Sequence, residues 1–105
     1  MSDLKTRETV FENKYAHEQE MLFRAEARAS KLLGLWAAQE MGMSADEAEH
    51  YAQAVVLSNL KQTGVGDVVS KVRDDLLGKG LKVDSVDTLM KQFMKDMKKQ
   101  VEDEG

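Results

Sequence analysis

Not one proline interrupts the 105 residues of this chain. A soluble chain of this length ordinarily carries about five. Proline ends or kinks helices, because its ring clashes with the preceding turn and it has no N–H to donate. Its absence lets helices run long, and the abundance of Ala, Leu, Met, Glu, Lys and Gln pulls the same way. The two-residue alternation of a strand is scarce. The chain therefore reads as all-α, one small domain near the commonest domain size.

Four helical segments emerge from the spacing of apolar residues. The first runs from about Asp3 to Met41, with Met21, Leu22, Ala25, Ala29, Leu32, Leu33 and Trp36 three or four apart. Trp36 reads as core. Gly42 is a natural stop, since glycine accepts the left-handed conformation after a helix. Ser44-Ala45-Asp46-Glu47 reads as a capping box, in which the Ser44 hydroxyl takes a free N–H and Glu47 reaches back. The second helix is predicted from about Ala45 to Gln62, with Ala48, Tyr51, Ala52, Val55, Val56 and Leu60 buried and Gly64-Val65-Gly66 ending it. Asp67 is the next N-cap candidate, and Val68, Val69, Val72, Leu76 and Leu77 form a short apolar stripe closed by Gly78 and Gly80. Asp84 or Ser85 caps the last helix, whose stripe is Val86, Leu89, Met90, Phe93, Met97 and Val101. Of Met90, Met94 and Met97, the stripe leaves one exposed. The acidic tail from Glu102 is expected to fray, because negative charge is unfavourable at a helix C-terminus.

The lengths do not match. The first helix would span about 58 Å and the second about 27 Å at 1.5 Å per residue. Some of the first helix must project beyond its neighbours or stay disordered until something binds it. Composition says which end: before Met21 the apolar side chains are few, and Leu4, Phe11 and Tyr15 make a narrow seam at offsets of zero, seven and eleven. The boundary is set near residues 18 to 21, giving an N-terminal arm over 1–20 and a helical bundle over 21–105. An arm this polar does not fold alone, but its apolar edge suits ordering on a partner.

Little in the sequence points to catalysis. Cysteine is absent, which excludes thiolate nucleophiles, thiolate zinc sites and disulfides. The two histidines, His17 and His50, have no nucleophile beside them and no zinc-protease or hydrolase motif. Glu47 and His50 have the Glu-x-x-His spacing of di-metal bundles, but those need two such motifs and two further Glu residues; position 14, which would pair with His17, is Lys14. Gly64-Val65-Gly66 and Gly78-Lys79-Gly80 lack the spacing of a phosphate loop and read as helix stops. No catalytic residue, metal ligand or cofactor is assigned. Fifteen basic against 19 acidic side chains give a net charge of −4, which argues against nucleic acid and anionic membranes. No stretch approaches membrane-spanning length and no signal segment opens the chain, so a cytoplasmic protein is expected. Arg24, Arg28 and Lys31 form a basic stripe next to the arm, a candidate surface for an acidic partner. Lys91, Lys95, Lys98 and Lys99 read as a solvated face. Glu20 and Arg24 suit an i,i+4 pair.

Three stretches carry a family resemblance. Phe11-Glu12-Asn13-Lys14-Tyr15-Ala16-His17-Glu18, then Leu32-Leu33-Gly34-Leu35-Trp36-Ala37-Ala38, then Tyr51-Ala52-Gln53-Ala54-Val55-Val56 resemble, in order and spacing, the zeta subunit of alphaproteobacterial F-type ATP synthases. The resemblance covers nearly the whole chain and is strongest from Phe11 to Leu60. It implies a four-helix bundle with a mobile N-terminal inhibitory arm. It further implies a regulatory subunit, monomeric when free, that blocks ATP hydrolysis. In the family the arm becomes helical between alpha and beta subunits of the catalytic head, near the central rotor. On that footing Leu4, Phe11 and Tyr15 would supply apolar burial there. Lys5, Arg7, Glu8, Glu12 and Lys14 would set the register. His17 joins this partner-binding set; an ordinary histidine titrates near pH 6.5, so contact could move its charge. The protein would then be cytoplasmic and peripheral to the membrane-bound synthase. Some family members bind nucleotide weakly, but no motif here assigns residues to that. The residues alone leave open a generic helical adaptor, or a small nucleotide or metal sensor, acting through the bundle surface.

Overall fold

The described residues form four helices: α1 (Ser2–Glu40), α2 (Ala45–Lys61), α3 (Gly66–Gly78) and α4 (Val86–Glu104). The computed structural model describes the backbone of residues 2–61 and 66–104, and the side chains of 17–59 and 66–104. The expected stop at Gly64-Val65 and the expected burial of Leu60 lie outside the described residues, as do the side chains from Leu4 to Tyr15. No strand occurs among the described residues, and the all-α bundle agrees with the sequence pattern.

Local chemistry sets the helix ends. Gly42 adopts φ 74°; its N–H reaches the Gln39 carbonyl at 3.0 Å, while the Met43 N–H reaches Ala38, also at 3.0 Å. That pair of bonds is the Schellman closure, which satisfies carbonyls the helix leaves free. Gly80, at φ 72°, repeats it through Gly80 to Leu77 and Leu81 to Leu76. The capping box forms as predicted: the Glu47 N–H donates to Ser44 Oγ at 3.3 Å and the Ser44 N–H to Glu47 Oε1 at 3.3 Å. Hydrogen bonding from Ser44, side chain first and backbone second, holds the Glu47 carboxyl below its usual range.

Two ends differ from the sequence reading. Helix α3 begins at Gly66, so Asp67 stands inside the first turn rather than ahead of it. There its negative charge still meets the positive end of the helix dipole. The acidic tail is helical: α4 continues to Glu104, whose carboxylate accepts two hydrogen bonds of 2.8 and 2.7 Å from Arg28 of α1. At the other end of α4, the Ser85 carbonyl accepts the Leu89 N–H at 2.9 Å, which makes Ser85 rather than Asp84 the flanking residue.

All four helices contribute to the core. Ala29, Leu33 and Ala37 of α1 meet Val55 of α2, Val68, Val72 and Leu76 of α3, and Val86 and Met90 of α4. Trp36, Phe93, Met94 and Met97 are partly buried against this cluster. The expectation of one exposed methionine on α4 is corrected, since all three pack on the core; the thioether chain is flexible enough to fill an irregular gap. Leu77 is also corrected: it is 57% exposed, one residue round the helix from buried Leu76. Ser30 and Asn59 are buried polar residues that the apolar pattern did not signal.

Helices α1 and α2 approach unusually closely. A Cβ at Gly34 would lie 2.9 Å from the Ala52 Cα and 3.3 Å from the Val55 Cβ. Small residues line both sides, with Ala37 and Ala38 on α1 and Ala52 on α2 all fully buried. Gly34 therefore marks a contact between backbones. Helix α1 packs chiefly on α2 and α4, while α3 and α4 touch lightly. The molecule measures 63 × 23 × 22 Å.

Candidate functional site

Helix α1 has 39 residues and α4, the next longest, has 19. At 1.5 Å per residue these are about 58 and 28 Å. His17, Glu18, Gln19 and Glu20 are exposed, Met21 and Leu22 are half-buried, and Ala25 is the first fully buried residue described on α1. The helix crosses this change without a break. Helical register at about 100° per residue puts positions 4, 11 and 15 within about 40° of one another. It also puts them in line with Leu22, Ala29 and Leu33, which the bundle covers. The arm seam thus continues the face that α1 buries in its own core. Of the proposed contact set, Leu4, Lys5, Arg7, Glu8, Phe11, Glu12, Lys14 and Tyr15 lie on this stretch of helical backbone, with side chains outside the described residues. His17, two residues further on, is exposed.

The basic stripe beside the arm is a corrected expectation. Arg24 pairs with Glu20 at 2.7 Å, as the spacing suggested, but the other two charges are also matched. Arg28 holds Glu104 and donates to Gln100 Oε1 at 2.8 Å, and Lys31 lies 3.6 Å from Glu49. Hydrogen bonding from Arg28 holds the Glu104 carboxyl below its usual range. These partners come from α2 and α4, so the neutralisation is invisible in the α1 sequence.

Among the described residues, four lysines that make no ion pair gather elsewhere. Lys91, Lys95, Lys98 and Lys99 line an open groove of about 880 Å³ between α3 and α4. Val69, Met90 and Met94 also line it, and an Arg73–Asp87 pair at 3.3 Å borders it. Sequence reasoning took the lysines as a plain solvated face. It missed that α3 lays Val69 beside them, because that juxtaposition depends on how α3 and α4 pack.

A third polar cluster ties α2 to α3. The Tyr51 hydroxyl donates to Asp75 Oδ2 at 2.8 Å, and Lys71 Nζ donates to the same oxygen at 3.2 Å. Lys71 Nζ also stands 5.6 Å from the Tyr51 ring centre. Burial first, then the Asp75 hydrogen bond, pushes the phenol well above its ordinary value. The cluster joins two helices. Glu47 and His50 build no metal site: among the described residues no group of three or more acidic, His or Cys side chains is placed to hold a metal. Among those residues no helix is long and apolar enough to cross a membrane.

Comparison with known proteins agrees with this geometry. Residues 1–103 match the family model described as ATPase inhibitor subunit zeta. The fold is similar to that of a protein solved by solution NMR, at 42% sequence identity and a TM-score of 0.66. That match covers 81% of this chain and 99% of the other. A search of curated proteins gives no match.

Proposed function

The chain belongs to the ATPase inhibitor subunit zeta family, and from that premise we propose that it stops ATP hydrolysis by lodging its N-terminal arm, as a helix, at an interface between alpha and beta subunits of the catalytic head. The observation that carries this reading is the length of α1. Ala25 is the first fully buried residue described on a 39-residue helix that begins at Ser2, and the seam at positions 4, 11 and 15 prolongs the face that is buried further along. A partner that covers this seam extends the packing that the bundle begins.

No chemistry is asked of the inhibitor. Rotary catalysis requires each interface between subunits to open and close in turn, and a helix held in one of them makes the next rotor position sterically inaccessible. Leu4, Phe11 and Tyr15 supply apolar burial at the wedge. Lys5, Arg7, Glu8, Glu12 and Lys14 flank the seam and set its register, and exposed His17 completes the contact set from the side of the helix away from the seam. The arm adds a domain boundary near residue 20, with the bundle over 21–105 as its handle. Ordering the arm on binding subtracts from the affinity. The test is ATP hydrolysis by the cognate catalytic head, titrated with the full-length protein. Saturable inhibition is expected, and undiminished hydrolysis at saturation would overturn the proposal.

A further inference from the structure

The groove between α3 and α4 gathers charge and apolar surface in a defined pattern. Lys91, Lys95 and Lys98 stand at offsets of zero, four and seven, so one helix face carries three ammonium groups over about 10 Å. Met90 and Met94, four apart, run beside them, and Val69 faces them from α3. Among the described residues none of these lysines makes an ion pair, whereas Arg24, Arg28, Lys31, Lys71 and Arg73 each do. In a chain of net charge −4 this is a segregated positive strip with a soft apolar floor. Methionine-rich floors suit helical partners, because the thioether chain repacks around their side chains.

We infer that this groove docks an acidic amphipathic helix of the enzyme that the arm inhibits, its carboxylates spaced three or four residues apart along the lysine strip. The inference rests on the proposed function for the identity of the enzyme, and on the groove for the chemistry. Charge complementarity selects this occupant. The chain's own arm is a poorer match, because Lys5, Arg7 and Lys14 are interspersed with Asp3, Glu8 and Glu12, and Glu20 is already paired with Arg24. No aromatic side chain lines the groove to stack a base. The strip also leads toward the arm: Lys98 and Glu102 line a second hollow with Glu18, Met21 and Leu22, at the base of the projecting part of α1. A helix held in the groove would fix the bundle beside the wedge and raise the local concentration of the arm.

The test uses the full-length chain and the purified cognate catalytic head. A zero-length carbodiimide, which joins ammonium to carboxylate, should cross-link Lys95 or Lys98 to acidic residues on a single helix of that enzyme. The double variant Lys95→Glu/Lys98→Glu should need at least tenfold more protein for half-inhibition, yet still inhibit fully at saturation and keep its melting temperature. Phe11→Ala distinguishes the two proposals: it should weaken inhibition at least tenfold and keep the cross-links. Cross-links scattered over many elements, or unchanged half-inhibition by the double variant, would overturn the groove assignment while leaving the arm intact. The assignment also fails if the lysine variant leaves enzyme binding unchanged but abolishes binding to phosphatidylglycerol vesicles, which would make a membrane the occupant.

Discussion

Replacing Gly34 by Ala sets two known effects against each other, and the structure decides between them. Helix propensity alone favours alanine by about 1 kcal/mol in a helix interior. The added methyl, however, would lie 2.9 Å from the Ala52 Cα. That neighbour is backbone, so no rotamer change relieves the contact. Restoring an ordinary separation requires α1 and α2 to part by roughly 0.6–1 Å. Opening a packed interface in this way costs about 1–3 kcal/mol. The Leu33, Ala37, Ala52 and Val55 contacts would loosen together. The expected net change is destabilising by about 1 kcal/mol, a fall in Tm of about 4–8 °C for a domain of this size. Gly34→Leu should do worse. Gly78 is the control: a Cβ there meets nothing within 4 Å, and its φ is not left-handed. Gly78→Ala should therefore stabilise by about 0.4–1 kcal/mol. Urea unfolding of the two alanine variants reads the signs directly. If Gly34→Ala stabilised as much as Gly78→Ala, the close backbone approach would be refuted.

Two further predictions concern the polar contacts. Tyr51→Phe removes the hydroxyl that donates to Asp75 and should cost about 0.5–1.5 kcal/mol in urea unfolding; no loss would mean the cluster adds nothing to the α2–α3 contact. Glu47 and Glu104 both titrate below the ordinary 4.5 when folded, so their contribution is complete above that pH and lost as pH falls through the lower folded values. Stability should decline on acidification below pH 4.5, and Glu104→Gln should shallow that decline; an identical acid limb in the variant would contradict the Arg28 grip.

The helix ends were legible in the sequence because their causes are local. Ser44 and Glu47 are three residues apart, and Gly42 closes its helix using carbonyls of the preceding turn. The apolar stripes were legible for the same reason: Ala29, Leu33, Val55, Val72 and Met90 announce their faces by spacing. What escaped depends on packing between segments distant in the chain. Arg28 and Glu104 are 76 positions apart, and nothing near either predicts their pairing. Lys31 reads as free until α2 brings Glu49 to it. Gly34 reads as a weak point in a helix until Ala52 is set against it. The candidate site divides likewise. The arm showed itself through sparse apolar residues and excess length, whereas the lysine groove required α3 to be placed beside α4.

The arm mechanism stands or falls on Phe11. Position 11 lies on the seam, four residues from Tyr15, and aromatic anchors commonly dominate interfaces. The decisive measurement pairs inhibition of ATP hydrolysis by the cognate catalytic head with thermal unfolding, on wild type, Phe11→Ala and the off-seam control Thr9→Ala. Phe11→Ala is expected to raise the inhibition constant at least tenfold, or about 1.4 kcal/mol, with an unchanged melting curve, while Thr9→Ala changes inhibition little. A large loss of stability in Phe11→Ala, with inhibition per folded molecule unchanged, would contradict the account and return Phe11 to the core of the bundle.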